Sequence, residues 1–451
     1  MNDTICSIAT SLGIGAISII RVSGIDAISI VNKIFKGKNL EKVKSHTINY
    51  GFIVDNDLII DEVLVSIMKS PKTYTMEDIV EINCHGGIQT TNKVLELLII
   101  NGCRQAEPGE FTKRAFLNGR IDLMKAEAVS DLINSQSEKQ RKVAINNLNG
   151  YGSNLISSLR KRISNIISNI EVNIDYPEYE DIYEVTLNDL KQEIKIVKNN
   201  ILEIVKEYED GKIIQDGIKT AIIGRPNVGK SSLLNCLLEY EKAIVTNIPG
   251  TTRDIVEGDI FIDGIKLNII DTAGIRETND VVEKIGVKKS LDILSDANLV
   301  LLLLNNNDTL TEEDLELIEK TKDKTAIIVV NKTDLETKLD ISNLKLDNIV
   351  YINTLNSSNI LPLKNKIKEI FNLEKLEKND FNYITNVRQI AKIKECLNII
   401  DDIELGIKNN LDLDMLEIDL KNIWDTLGNI IGESYDEELL DQLFSKFCVG
   451  K

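Results

Sequence analysis

Apolar positions recur along this chain in distinct textures, and each texture implies a different kind of element. Over roughly the first 120 residues, β-branched runs at 16–22 and from 58–60 through 63–67 read as strands. An apolar stretch at 94–100 reads as a helix that ends at Asn101-Gly102. Gly13, Gly15, Gly24, Gly51, Gly86 and Gly87 punctuate this part, which predicts an α+β domain. From about 122 to 210, glycine and proline become rare. Leu155, Leu159, Ile163, Ile166, Ile170 and Ile174 recur at spacings of three and four, the signature of one apolar face of a long helix. The pattern breaks at Asp175-Tyr176-Pro177, passes an acidic patch at 178–184, and resumes through Ile201, Ile204 and Val205.

Residues 215 to about 375 alternate β-branched or leucine runs with helical segments. The runs at 220–223, 266–270, 299–304, 326–330 and 349–352 predict a mostly parallel sheet with helices on both faces. The remainder is helical again, with Leu413, Leu416, Leu420, Ile423, Leu427 and Ile430 on one face. The expected division is therefore 1–120, 121–214, 215–375 and 376–451. The two helical blocks would form one discontinuous domain, with the α/β domain inserted between them.

Composition supports a packed multidomain protein and narrows its chemistry. The 451 residues are 43% hydrophobic and 27% charged, close to ordinary globular usage. The net charge of -18 repels phosphate backbones, so nucleic-acid contact needs a local basic patch or a basic partner. The six cysteines (6, 84, 103, 236, 396, 448) have no zinc or CxxC spacing, and there are only two histidines, His46 and His85. Free thiols, no basic-apolar leader and no apolar run of spanning length lead us to expect a cytoplasmic protein with no membrane segment.

The chemistry concentrates in the α/β block. Gly224-Arg225-Pro226-Asn227-Val228-Gly229-Lys230-Ser231 follows a predicted strand and opens the helix that begins with Ser232. That is the phosphate-loop pattern in its required context: glycines turn backbone N–H groups inward, and a helix N-terminus adds positive potential. Lys230 is expected to reach the β- and γ-phosphates, and the Ser231 hydroxyl to bind Mg²⁺. Asp271-Thr272-Ala273-Gly274 ends a second strand, where an acid holds the Mg²⁺ shell and the glycine N–H senses a γ-phosphate. Asn331-Lys332-Thr333-Asp334 ends a third strand. A carboxylate at Asp334 accepts from the N1 and amino groups of guanine, an edge adenine lacks, so the nucleotide is GTP. Gly250-Thr251-Thr252-Arg253-Asp254 occupies the place of a first switch loop, with Thr252 the candidate for a second hydroxyl on Mg²⁺. Many small GTPases carry a water-orienting glutamine after the second switch glycine; here Ile275 stands there.

These motifs and both chain ends resemble the MnmE (TrmE) family of tRNA-modifying GTPases. The likeness rests on Gly224-Arg225-Pro226-Asn227, the stretches 246–254 and 271–277, and the terminal Phe447-Cys448-Val449-Gly450-Lys451. It extends to Asp3-Thr4-Ile5, Arg21-Val22-Ser23-Gly24, Glu77-Asp78-Ile79-Val80-Glu81, His85-Gly86-Gly87, Pro108-Gly109-Glu110-Phe111 and Arg114-Ala115-Phe116-Leu117-Asn118. The resemblance implies an N-terminal folate-binding domain that dimerises, a discontinuous helical domain and an inserted P-loop GTPase domain. It implies a homodimer working on tRNA with a flavoprotein similar to MnmG (GidA), whose FAD stays on that partner. The product would be an aminomethyl or carboxymethylaminomethyl group at C5 of the wobble uridine. Its methylene would come from a one-carbon tetrahydrofolate, the 5,10-methylene or 5-formyl form.

The family also accounts for the missing glutamine. K⁺ takes the place of an arginine finger, held on this sequence by Asn227, Thr246, Ile248 and Thr251, while Glu283 orients water. On the residues alone, Glu283 reads as a solvated helix position between Asp280 and Lys284. The guanine nucleotide would touch 227–232, the loop Thr246-Asn247-Ile248-Pro249-Gly250-Thr251-Thr252, Asp271 to Gly274, Asn331, Lys332, Asp334 and the loop Asn353-Thr354-Leu355. Folate would fall to Arg21, Glu81, Arg120 and Lys451, arginines suiting its carboxylates and the glutamate its pterin edge. Cys448 lies near that site in the family, and its chemical role is open; Phe444, Phe447 and Val449 predict a docked tail. The sequence departs from the family pattern at Asn353-Thr354-Leu355, where Ser-Ala-x is usual, at Asn247 and Pro249, where Asp and Ala are often seen, and at Val449, where Ile is commoner. The runner-up reading is a ribosome-assembly or stress-response GTPase acting as a binding switch, although no basic RNA-binding module is visible.

Overall fold

The computed structural model describes residues 3–175, 186–241, 259–270, 296–377, 380–435 and 437–450. Contacts divide the chain into two compact units. One comprises Met1–Asn134, Asn147–Leu202 and Asn386–Lys451; the other comprises Ser135–Asn146 and Glu203–Thr385.

The first unit opens with β1 (Ile5–Ile8), β2 (Ile17–Ser23), α1 (Ala27–Ile34), β3 (Phe35–Lys36), β4 (Thr47–Asp55), β5 (Leu58–Met68), β6 (Ile79–His85), α2 (Ile88–Ile100) and β7 (Arg104–Gln105). The strands form one sheet in the order β3-β4-β5-β6-β2-β1-β7, antiparallel except where β1 meets β7. The strand expected from 58 through 67 is β5, one residue longer. Asp61 and Glu62 keep pairing with Ile53 and Phe52, and a register shift at Ile53/Val54 absorbs the irregularity. α2 starts six residues earlier than its apolar run, because its first turn is mostly polar and follows Gly87. The inward face of the sheet, including Ile20, Val22, Val65 and Ile82, packs against Ile28 and Val31 of α1 and Val94 and Leu98 of α2. The outward face leaves Ile17, Ile48, Tyr50 and Leu64 exposed.

Helices follow: α3 (Glu110–Leu117), α4 (Leu123–Asn134), α5 (Glu138–Leu148), α6 (Tyr151–Asp175) and α7 (Leu187–Asp216). α6 keeps the middle of the three/four face: Leu159, Ile163, Ile166 and Ile170 are buried, Ile156 is buried where half-buried Leu155 was expected, and Ile174 in the last turn is exposed.

The second unit is built on β8 (Ile218–Ile223), α8 (Lys230–Glu241), β9 (Asp259–Ile262), β10 (Ile265–Ile270), β11 (Leu299–Asn305), α9 (Glu312–Thr321), β12 (Ala326–Asn331), β13 (Ile349–Tyr351) and α10 (Leu361–Ile370). The sheet order is β13-β12-β11-β8-β10-β9, parallel except at β9. β9 turns into β10 through Asp263-Gly264, both at positive φ (48° and 71°), the turn chemistry that a two-residue hairpin demands. Every residue of β11 is buried. Leu301 and Leu303 face one core with Leu233 and Leu237 of α8 and Leu363 of α10; Val300, Leu302 and Leu304 face the other with Ile318 of α9. A strand covered on both faces reads as a continuous apolar run, which is why the leucines there do not alternate. Val143 of α5 and Ile214 of α7 also lie in the first of these cores.

The chain returns to the first unit with α11 (Val387–Lys408), α12 (Leu413–Ile431) and α13 (Glu437–Phe444). α12 packs along both α6 and α11. Gly432 ends α12 in the left-handed conformation (φ 84°), and a Cβ there would lie 2.8 Å from the Phe116 ring. Phe444 and Phe447 bury against Phe116 and Leu123, so the tail is docked. Val449, expected to dock with them, is half exposed instead: the chain passes over the sheet edge there through Gly450, at φ 94° and close against the Ile8 carbonyl.

One buried ion network ties the start of this unit to α3. Arg114, 1% exposed, donates to the Asp3 carboxylate (2.8 Å), Glu77 (3.1 Å) and Glu110 (2.9 Å), and Arg104 also reaches Asp3 and Glu110. Burial opposes ionisation of Glu110. Hydrogen bonds from Arg104, the Glu107 N–H and Arg114 outweigh it and hold the carboxyl below its usual value. We expect Arg114→Met to lower unfolding free energy by about 3–5 kcal/mol in denaturant titrations, because three acids lose a buried cation. Since the Glu110 pKa is depressed in the folded state, the stabilisation is present above the ordinary value of 4.5 and is lost as pH falls through the lower folded one.

Candidate functional site

β8 stands where strand order reverses, with β11 on one side and β10 on the other. In open α/β sheets, ligands settle at the carboxyl ends of the strands at such a point. The segment between Ile223 and Lys230 is the predicted phosphate loop. Gly224 (φ 147°), Asn227 (φ 64°) and Gly229 (φ 104°) all take the left-handed region, which turns successive N–H groups to the concave side. Packing forbids a side chain at either glycine. A Cβ at Gly224 would lie 2.6 Å from the Leu303 carbonyl oxygen, and one at Gly229 would lie 2.2 Å from Asn331 Nδ2. Val228 anchors the loop in the core at 1% exposure, while Ser231 and Ser232 stand exposed in the first turn of α8.

Lys230 Nζ donates to the carbonyls of Gly224 (2.6 Å) and Arg225 (2.9 Å). Burial pushes its pKa down, a cost that an anionic ligand in the cradle would offset. Arg225 turns away: its Nε donates to Asp314 Oδ1 (2.8 Å), a buried acid that also caps α9 through Thr311. Asp314 was not anticipated; its one sequence signal is the Thr311-x-x-Asp314 capping box.

The Asn331-Lys332-Thr333-Asp334 segment is fastened directly to this loop. Asn331, fully buried at the end of β12, donates from Nδ2 to the Val228 carbonyl (2.9 Å). Lys332 (φ 62°) donates from Nζ to the Asn227 carbonyl (2.8 Å). Asp334 is exposed. The Thr333 N–H meets the Ile352 carbonyl (3.2 Å), which brings Asn353, Thr354 and Leu355 alongside. Cys236 of α8 donates to the Thr354 carbonyl, Asn359 holds the Asn353 side chain, and Leu355 is 71% exposed. Direct bonds thus join Asn331 and Lys332 to Val228 and Asn227, and the 353–355 loop to α8, with Gly229, Lys230, Ser231, Ser232 and Asp334 adjacent along the chain. The loop's backbone donors and lysine suit a nucleoside triphosphate. Thr246, Asn247, Ile248, Pro249, Gly250, Thr251, Thr252, Asp271, Thr272, Ala273, Gly274, Glu283 and Lys451 lie outside the described residues.

The first unit holds a second constellation. Arg21 on β2 and Glu81 on β6 are register partners, and Arg21 Nε donates to Glu81 Oε1 (2.9 Å). Arg21 also donates to the Gly450 carbonyl (3.3 Å) and lies 5.7 Å from the Phe111 ring centroid. Arg120 sits 4.6 Å over the Tyr74 ring and donates to the Tyr74 carbonyl (3.0 Å), with Arg21 5.8 Å from the same ring. Arg21 and Arg120 therefore meet at Tyr74, Arg21 also lies beside Phe111, and Glu81 joins through Arg21; neither aromatic residue had a role assigned from sequence. Flat rings flanked by guanidiniums suit a planar ligand with carboxylates. Cys448 is exposed, and its carbonyl accepts from the Gly109 N–H (3.3 Å).

A phosphate loop at the reversal point of a mostly parallel sheet, bonded to an Asn-Lys-x-Asp segment, defines a P-loop GTPase domain. The chain matches the family model described as the MnmE helical domain over residues 123–448, and that of the GTP-binding protein TrmE N-terminus over 4–120. It is 51% identical over 454 residues to the tRNA modification GTPase MnmE of Streptococcus thermophilus, covering 100% of this chain and 98% of that one. The Bacillus licheniformis and Enterococcus faecalis proteins of the same name are 49% and 50% identical, again over 100% of this chain and over 100% and 98% of theirs. The chain belongs to the MnmE family of tRNA modification GTPases. No helix among the described residues is long and apolar enough to cross a membrane.

Gly229→Ala should abolish detectable guanine nucleotide binding, with at least about a tenfold rise in Kd. Titration with a fluorescent GDP analogue checks this, circular dichroism confirming the fold.

Proposed function

We propose that this chain is a K⁺-stimulated GTPase that acts with an MnmG-like flavoprotein on tRNA. Together they would place an aminomethyl or carboxymethylaminomethyl group at C5 of the wobble uridine, with a tetrahydrofolate one-carbon unit as the methylene source. The observation that carries the GTPase half is the pair of bonds from Asn331 and Lys332 to the loop at Val228 and Asn227. Base recognition and phosphate binding then share one rigid body. Asp334 accepts from the guanine edge, Lys230 neutralises β- and γ-phosphate charge, and Ser231 with Thr252 offers hydroxyls to Mg²⁺. A cation at Asn227, Thr246, Ile248 and Thr251 supplies positive charge beside the bridging oxygen, as an arginine finger does elsewhere. Ile275 in place of glutamine supports a different water-orienting group, assigned to Glu283.

Arg21, Glu81 and Arg120, with Lys451, bind folate in this reading, Tyr74 and Phe111 providing the flat surface. Cys448 lies on the strand of tail whose Gly450 carbonyl meets Arg21, near enough to take part. The exposed apolar row Ile17, Ile48, Tyr50 and Leu64 supports a homodimer through the N-terminal sheet. The chain's acidity favours a partner that brings much of the RNA-binding surface. The boundaries 1–120, 121–214, 215–375 and 376–451 belong to the same reading, as does a cytoplasmic location.

GTP turnover should rise by about tenfold or more when K⁺ replaces Na⁺; equal rates in a malachite-green assay would refute the cation mechanism. Lys230→Ala should abolish wobble-uridine modification while leaving folate binding intact. Arg21→Leu should instead spare GTP turnover and weaken folate by about tenfold. Nucleoside analysis of tRNA, a GTP turnover assay and folate titration separate these outcomes.

A further inference from the structure

The chain has a single tryptophan, Trp424 on α12, and it is partly exposed. It borders an open cavity of ≈ 230 Å³ lined by Ser157, Arg160, Lys161, Ser164, Trp424 and Glu433. The α6 residues arise from one sequence feature, the run Arg160-Lys161-Arg162, three consecutive cations in a chain of net charge -18. At 3.6 residues per turn, consecutive residues point in different directions. Arg160 is buried against α12: its guanidinium lies 3.8 Å from the Trp424 ring centroid, crosses Gly428, and donates to the Trp424 carbonyl (3.0 Å). Arg162 goes to Glu193. Lys161 stays exposed on the cavity rim, between Ser157 and Ser164 at helical spacings of four and three.

Bracing α6 on α12 explains Arg160 and its ion pair with Glu433. It does not require an ammonium and two hydroxyls around an open cavity. The lining separates into three chemical parts. Lys161, Ser157 and Ser164 donate, as a phosphate oxygen needs. The partly exposed indole, with the Arg160 guanidinium held against its ring, offers an aromatic surface on which a base stacks. The Glu433 carboxylate accepts, as the amino edge of a base needs. We propose that this groove on the helical domain binds one unstacked nucleotide of the tRNA substrate, supplying a local basic contact on an acidic chain. The inference rests on the tRNA reading given above, and it assigns to the chain itself a contact with the RNA strand.

Because Trp424 is the only tryptophan, its emission reports on this groove alone. The test titrates the full-length protein with a dye-labelled anticodon stem–loop RNA, following dye anisotropy and tryptophan emission together. Saturable quenching should track the anisotropy. Lys161→Glu should weaken RNA binding about tenfold, and Lys161→Ala should lower the slope of log Kd against log salt by about one. GTP turnover should be unchanged in both variants. If RNA binds but Trp424 emission and the Lys161→Glu affinity do not change, the groove is a brace and the inference fails while the tRNA reading stands. If the protein binds no RNA at any salt, the inference fails along with direct tRNA contact by this chain. Quenching by free cytidine monophosphate as tight as that by the RNA would overturn an RNA strand as the occupant.

Discussion

The bond from the Asn331 side chain to the Val228 carbonyl is the constraint on which the nucleotide site depends. A carbonyl turned inward within a phosphate loop has no partner in the parallel ladder, and a buried acceptor without one costs about 1–3 kcal/mol. Asn331 supplies the partner from the end of β12, two strands away from β8 in the sheet. The approach is so close that position 229 tolerates no Cβ. Glycine at 229 and asparagine at 331 are therefore one requirement written at two places in the sequence. Lys332 repeats the arrangement one residue on, against Asn227. Asp334, proposed to read guanine, follows two residues later, so its distance from the phosphate loop is set by backbone already held in place.

The same economy organises the pocket around Tyr74. Arg21 and Glu81 face each other because β2 and β6 pair in one register, and a slip of one residue would turn both toward the core. The tail reaches Arg21 because Phe444 and Phe447 are buried with Phe116 and Leu123 beforehand. Apolar burial thus sets the position of a polar segment whose own hydrogen bonds are few. The buried Arg114 network holds α3, and with it Phe111, against the first residues of the chain.

Each unit leaves its chemistry on exposed or partly exposed groups carried by largely buried elements. β8, β11 and β12 are buried apart from Lys219 and part of Ala326, while Ser231, Asp334 and Leu355, in the segments after β8, β12 and β13, are exposed. α6 and α12 likewise bury their apolar stripes and turn Lys161 and part of Trp424 outward. Rigid elements limit the entropy lost when a ligand binds, which is the physical advantage of building sites this way.

Local pattern was enough to establish the βα alternation, the five parallel strands, the long helices α6 and α12, and the phosphate-loop and guanine motifs. Those signals depend on periodicity and on residue types whose backbone or hydrogen-bonding chemistry is intrinsic. The antiparallel hairpin at Asp263-Gly264 is signalled there too, in the dipeptide itself. Other features were not legible. The pairing of β4 with β5 depends on a bulge, the environment of Arg225 on an acid 89 residues away, and the convergence of Tyr74, Phe111 and Arg120 on Arg21 on the closing of a seven-stranded sheet. Such contacts join residues distant in sequence through packing and register, which no local window contains; the chain specified which groups could react, and the tertiary fold decided which of them meet.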